Sequence, residues 1–294
     1  MGDISFMTGI DKVIDGKIIL DKEYSKKFRL VDDSEITVSS TIGLVRSQQE
    51  DSVAVSVKGN YKMFLVADGM GGHKAGEIAS YYTAKIIKKF FEYEDEMYLR
   101  ILDDILLNEV VYLLIDEITR KMNRESGATL SLALVLDDKT YLVNIGDSRI
   151  YTLKDNKLVL QTHDDSEAFM RYNPKNSRDR DKLRFYRFNN IVTNGIIKDA
   201  LVDVNIKEID NDSYDTLCLM TDGISDILRE DEMKECMYQD NPSYEMTELS
   251  KNHVVDKVSI EDTDIYKNYD FVRQIEPGKD NASAIVYKKR VLSL

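Results

Sequence analysis

Ile36, Val38, Ser40 and Ile42 alternate with residues of other character, and Val53, Val55 and Val57 resume the alternation after a polar break. A period of two marks a half-buried strand, because successive side chains point to opposite faces of a sheet. Gly59-Asn60 then reads as a two-residue hairpin turn, since both residue types accept the positive φ such turns require, with residues 61–67 as the returning strand. The period next becomes helical. Ala75, Ala79, Tyr82, Ile86 and Phe90 fall on one stripe, and Leu99, Leu102, Leu106, Val110 and Leu113 on a second. Both stripes need a sheet to bury against.

Short apolar runs follow at 129–136, 140–145, 149–153 and 157–160, separated by Asp137-Asp138, Asp147-Ser148 and Asp155-Asn156 turns, which predicts an antiparallel meander. Residues 162–195 are polar and rich in Arg and Asp, as expected of a mobile surface flap. Strands resume at 201–209 and 216–220, residues 229–270 read as helix and loop, and Asp280-Asn281 opens a last strand over 282–287. Strand blocks interrupted by paired helices predict an α+β fold built in layers.

Composition narrows the partners. The 294 residues carry 40 Lys and Arg against 53 Asp and Glu, a formal charge of −13. Without a segregated basic patch, such a chain repels nucleic acid and anionic membrane surfaces. No apolar run approaches the ~20 residues that span a bilayer. The first ten residues lack a basic segment followed by an apolar one, so the expected address is the cytoplasm. Cys218 and Cys236 have no metal-knuckle spacing, which argues against a disulfide framework or structural zinc. Length alone would suggest two domains at ~150 residues each, but there are only three prolines and no Gly/Ser-rich linker. One domain from residue 36 to 294, with an N-terminal extension over 1–35, is the simpler organisation.

The first hairpin carries the candidate chemistry. With Gly59-Asn60 as the turn, Lys58 faces Tyr61 and, without a bulge, Asp51 faces Asp68, with Glu50 beside them. Opposed carboxylates destabilise a sheet unless their pKa values rise or a cation joins them. Asp222 ends another apolar strand and Asp280 begins one, so an antiparallel sheet can gather these acids at one rim. Each Asp-Gly pair taken singly is also an ordinary turn. Together the acids form an oxygen-rich site suited to Mg²⁺ or Mn²⁺. The turn Asp68-Gly69-Met70-Gly71-Gly72-His73 lacks the Gly-Lys-Ser/Thr of a P-loop and misses the dinucleotide spacing.

Six segments now carry a family resemblance: 43–46 with 50–52, 66–73 with 75–77, 126–129, 146–149, 220–226 and 280–281. Their residues and order resemble those of metal-dependent protein phosphatases, the protein phosphatase 2C family, in its bacterial branch, over roughly residues 36 to 290. The resemblance implies a four-layer α-β-β-α sandwich of two antiparallel sheets flanked by helices, with two Mn²⁺ or Mg²⁺ ions at one rim. It implies that Asp68 bridges the metals, that the Gly69 carbonyl binds one, and that Asp222 and Asp280 hold the other. Glu50 and Asp51 match the family's acidic pair, acting largely through metal-bound water. Asp147 matches a position where bacterial members take a third, weaker metal. Arg46 matches the phosphate-binding arginine; on the residues alone, a salt bridge to Glu50 is an equal reading.

The implied reaction is hydrolysis of phosphoserine and phosphothreonine in phosphorylated proteins by metal-activated water, without a covalent nucleophile. The leaving alkoxide needs a proton, and His73 is the nearby candidate, although other branches place a histidine at the Met70 position. His163 and His253 are expected at the surface, and Arg149 is expected to brace its turn. Two segments depart from the family. Its Thr-x-Asp-His-Ser stretch becomes Thr162-His163-Asp164-Asp165-Ser166, and its Thr-Arg-x-Leu-Gly-like stretch becomes Ile191-Val192-Thr193-Asn194-Gly195. The stretch from Asp222 to Asp280 is longer than in compact members, which predicts an insertion within 229–279. A monomer is expected. The competing readings are a catalytically silent pseudophosphatase that binds phosphoproteins and a phosphoesterase acting on a small metabolite.

Overall fold

In the computed structural model, which describes residues 23–71, 74–94, 98–99, 101–254 and 275–289, the first hairpin adopts the predicted register. Strands β3 (Ser52–Lys58) and β4 (Tyr61–Ala67) pair Lys58 with Tyr61 and Ser52 with Ala67. Gly59 alone supplies the positive φ, at +58°; Asn60 does not share it. The turn is therefore of the primed kind that places glycine first.

This hairpin forms one edge of a five-stranded antiparallel sheet, continued by β7 (Leu130–Val135), β8 (Lys139–Ile145) and β12 (Asn205–Asp210). A six-stranded antiparallel sheet faces it, ordered β1 (Glu23–Arg29), β2 (Glu35–Thr41), β14 (Ala282–Lys288), β13 (Thr216–Met220), β9 (Arg149–Lys154) and β10 (Lys157–Leu160). Three two-residue strands, β11 (Ile196–Ile197), β6 (Gly127–Ala128) and β5 (Gly69–Met70), make a small third sheet.

Strands β13 and β14 are covered on both faces. Leu217, Leu219, Ile285 and Tyr287 point into the core between the sheets, whereas Cys218, Met220, Ala284 and Val286 point into a second core. Phe64 stacks on Tyr287 with ring centroids 5.1 Å apart, joining the two sheets. Helices α1 (Lys74–Tyr93) and α2 (Asp104–Lys121) cover the five-stranded sheet. The second stripe is displaced from the predicted one. Asp103 caps α2 by accepting from the Leu106 amide, so Leu99 and Leu102 precede the helix; Leu107, Val110, Val111, Leu114, Ile115 and Ile118 are buried, and Leu113 is exposed.

Four sequence expectations change. The meander is split, because β8 and β9 lie in different sheets and the chain crosses between layers at residues 146–148. Strand β1, expected within the N-terminal extension, pairs with β2 along its whole length. The flap contains α3 (Glu167–Tyr172) and α4 (Ser177–Leu183), with its own apolar cluster of Ala168, Phe169, Leu183 and Tyr186. After the short α5 (Asp222–Ser225), helices α6 (Glu230–Met237) and α7 (Pro242–Asn252) fall where an insertion was expected. They supply Met233, Cys236, Met237 and Met246 to the second core and so form the helical layer on the six-stranded sheet. Among the described residues no helix is long and apolar enough to cross a membrane.

Candidate active site

Strand ends from both sheets converge on one open cleft of about 210 Å³, lined by Arg46, Glu50, Asp68, Gly69, Asp147, Asp222 and Asp280, with Met70, Gly71, Thr129, Asn190 and Val192. The hairpin register creates one side. The Gly69 amide donates to the Glu50 carbonyl at 3.1 Å, extending the β3–β4 pairing past Asp51 and Asp68. Thr129, just before β7, fixes Asp68: its hydroxyl accepts from the Asp68 amide at 2.9 Å, and its amide donates to the Asp68 carbonyl at 2.9 Å. Gly69 is required sterically, since a Cβ there would lie 2.2 Å from the Gly76 carbonyl oxygen in α1.

The β13–β14 pair makes the opposite side. The Thr221 hydroxyl accepts from the Ser283 amide at 3.0 Å and donates to Asp51 Oδ2 at 2.8 Å, linking the ends of the two sheets. Asn281, nearly fully buried, accepts from the Glu50 amide at 2.7 Å and donates to the Ile42 and Gln48 carbonyls, both at 3.1 Å. It pins the loop carrying Arg46, Glu50 and Asp51 to the start of β14. Asp147 arrives by the crossover between layers, where Gly146 adopts φ +95° and leaves no room for a Cβ beside Thr129.

The electrostatics follow from crowding. Burial pushes Asp51 up to about 8, with Asp222 and Asp280 adding repulsion against the hydroxyl hydrogen bonds that favour its anion. Asp68 is raised well above the carboxylate range by burial and then by Asp222, Asp51 and Asp280. Asp147 is raised likewise, by burial and then Asp222. Asp51 Oδ1 is buried without a hydrogen-bond donor. Arg46 donates to Asp280 Oδ2 at 2.8 Å and to Glu50 Oε2 at 3.3 Å, so the i,i+4 salt bridge exists together with a second one across the cleft. Among the described residues, no three His, Cys, Asp or Glu side chains stand in the arrangement of a preformed metal site. The donors are nonetheless of the kind a hard divalent cation takes: several carboxylates, one with an orphaned buried oxygen, and backbone carbonyls.

Arg149 is buried, donating from Nε and Nη2 to Asp164 Oδ2 at 2.9 and 2.7 Å. The sequence reading did not identify Asp164 as its partner, nor Asn281 and Thr221 as the residues that tie the rim together. Asn281 beside Asp280, Thr221 beside Asp222 and Asp164 in its family-like stretch each had a signal in position, but none in partner, because the partners lie elsewhere in the chain. His253 is not at the surface: its side chain is largely buried and its Nε2 lies 2.8 Å from Glu232 Oε1. His73 lies outside the described residues.

The comparisons agree with this architecture. A family model described as protein phosphatase 2C matches residues 45–253. The serine/threonine phosphatase Stp of Listeria monocytogenes is 29% identical over 204 residues, covering 66% of this chain and 79% of Stp. The crystal structure of the Mycobacterium tuberculosis serine/threonine phosphatase PstP superposes with a TM-score of 0.67 at 21% identity, covering 88% of this chain and 99% of that one. A structure of the PstP catalytic domain in complex with two manganese ions gives a TM-score of 0.63 at 21% identity, covering 87% of this chain and 97% of that one. This chain belongs to the protein phosphatase 2C family.

Proposed function

We propose that this serine/threonine protein phosphatase hydrolyses phosphoserine and phosphothreonine monoesters of phosphorylated proteins in the cytoplasm, with Mn²⁺ or Mg²⁺ as cofactor. The observation that supports the metal dependence is the grouping of Asp51, Asp68 and Asp222, the first two raised by desolvation and then by mutual repulsion. Such a group is stabilised by divalent cations and not by a neutral ligand. In this reading Asp68, the Gly69 carbonyl, Asp222 and Asp280 would hold the ions, and Glu50 and Asp51 would act through water. Asp147 belongs to a third, weaker ion. The cations supply Lewis-acid stabilisation of phosphoryl charge and an acidified water as nucleophile.

The chain's own groups orient the ester. Arg46, anchored on a loop that Asn281 pins, presents a planar fork that binds two phosphate oxygens and is pulled away from Asp280 and Glu50 to do so. His73 is the candidate proton donor to the leaving serine or threonine oxygen. The deciding experiment is phosphate release from phosphoserine and phosphothreonine peptides. Turnover is expected with Mn²⁺ and none with chelator. Metal-replete protein that bound phosphoproteins without turnover would instead be a silent binding module, and turnover of metabolite esters alone would make it a small-molecule phosphoesterase.

A further inference from the structure

The two segments that depart from the family pattern meet in space. Asp165 stands at the histidine of the first stretch and Asn194 at the leucine of the second. Asn194 Nδ2 donates to Asp165 Oδ2 at 2.7 Å. The same oxygen accepts from the Gly146 amide at 2.9 Å, and the Asp165 amide donates to the Gly146 carbonyl at 3.0 Å. One residue therefore holds both backbone polar groups of the left-handed corner that delivers Asp147 to the cleft.

Asn194 also closes the far end of the flap. Its Nδ2 donates to the Asp203 carbonyl at 2.8 Å and its Oδ1 accepts from the Asp203 amide at 3.1 Å. Between these anchors the Thr193 amide donates to the Asp165 carbonyl at 2.7 Å and the Glu167 amide to the Ile191 carbonyl at 2.9 Å. Asn190 and Val192, which line the cleft, lie in this stretch. The flap has its own apolar cluster, so the bonds at its base set where the whole segment sits. A carboxylate accepting from two donors makes stronger hydrogen bonds than neutral groups do, and a leucine at 194 would make none of them.

We propose that Asp165 and Asn194 are positioning residues that lock the flap wall of the cleft to the Gly146–Asp147 corner, and so govern how a protein-borne phosphoester is seated. The proposal rests on the phosphatase reading. Its consequence is selective. A phosphopeptide reaches the flap wall, whereas p-nitrophenyl phosphate occupies only the phosphate end of the cleft.

The test compares the Mn²⁺-replete full chain with Asp165→Ala, Asn194→Leu and Asp165→Asn, the last keeping an acceptor oxygen. Loss of the clamp should raise KM for a phosphopeptide about 10-fold in Asp165→Ala and Asn194→Leu, the equivalent of one net hydrogen bond. Both should leave p-nitrophenyl phosphate turnover within about twofold, while Asp165→Asn, which keeps an acceptor oxygen without its charge, should raise the phosphopeptide KM by less than Asp165→Ala does. Amide hydrogen exchange at Gly146 and Thr193 should quicken more in Asp165→Ala than in Asp165→Asn. Wild-type phosphopeptide KM in Asp165→Ala, or parallel loss of both activities, would overturn the proposal. If the wild-type chain turned over neither ester, the phosphatase reading would fail, while unchanged exchange at Gly146 in Asp165→Ala would by itself sink the clamp.

Discussion

Arg46 Nη2 lies 2.8 Å from Asp280 Oδ2, so the arginine proposed to bind phosphate is held by a carboxylate proposed to bind metal. A second contact to Glu50 at 3.3 Å makes the guanidinium the counter-charge of the rim. In the proposed function, substrate and cation would therefore address the same ion-pair network.

Arg46→Ala is expected to weaken ester binding more than metal binding. Charge-assisted hydrogen bonds contribute roughly 1.5–3 kcal/mol each, so KM should rise about 10- to 100-fold at saturating Mn²⁺. Calorimetry should show a much smaller change in Mn²⁺ affinity. Arg46→Lys should recover only part of the loss, because an ammonium lacks the planar fork. Unchanged KM would remove Arg46 from the site.

Asp222→Asn should abolish turnover yet stabilise the metal-free fold. Asp222 adds repulsion to both Asp51 and Asp68, and an amide at 222 can still hydrogen-bond to Asp68. Relief of about 1 kcal/mol corresponds to a Tm gain of about 2–4 °C for a chain of this class. Melting in chelator measures it, and a fall in Tm would contradict the electrostatic picture.

Burial of Asp51, with the same repulsion added, sets a pH dependence. Asp51 titrates near 8 in the folded chain, against ~3.9 for an unperturbed aspartate. Between those values the folded state keeps a proton that the unfolded state has released, so stability falls as pH rises. In chelator, Tm should decline from pH 5 to about 8. Mn²⁺ should flatten or reverse the decline, since carboxylate ligands must be deprotonated. Asp51→Asn should reduce the slope; a Tm rising with pH in chelator would refute the assignment.

The Arg149–Asp164 pair should matter for stability rather than for chemistry. Both side chains are about 95% buried, with side-chain exposures of 5% and 4%. Removing one partner leaves an uncompensated buried charge, which typically costs about 3–5 kcal/mol. Urea unfolding of Asp164→Ala should show such a loss, and an Arg149→Met/Asp164→Leu double variant should recover most of it.

Local chemistry carried much of this structure. The β3–β4 register was legible because a glycine turn fixes pairing over a short hairpin, and with it the approach of Asp51 to Asp68. The α1 stripe was legible because Ala79 and Ile86 bury one face. The start of α2 was missed because Leu99 and Leu102 continue an apolar spacing that Asp103 interrupts.

By itself, then, the amino-acid sequence determined the strand and helix types, the order of the acidic turns and the family they resemble, since these depend on neighbours a few residues apart. Only the tertiary structure decided that β8 and β9 part into different sheets at Gly146, that α6 and α7 cover a core instead of decorating it, and that Asn281, Thr221 and Asp165 fasten the rim. Those outcomes rest on which face of a doubly buried strand meets which layer, and on hydrogen bonds between residues far apart in the chain. No local period encodes either.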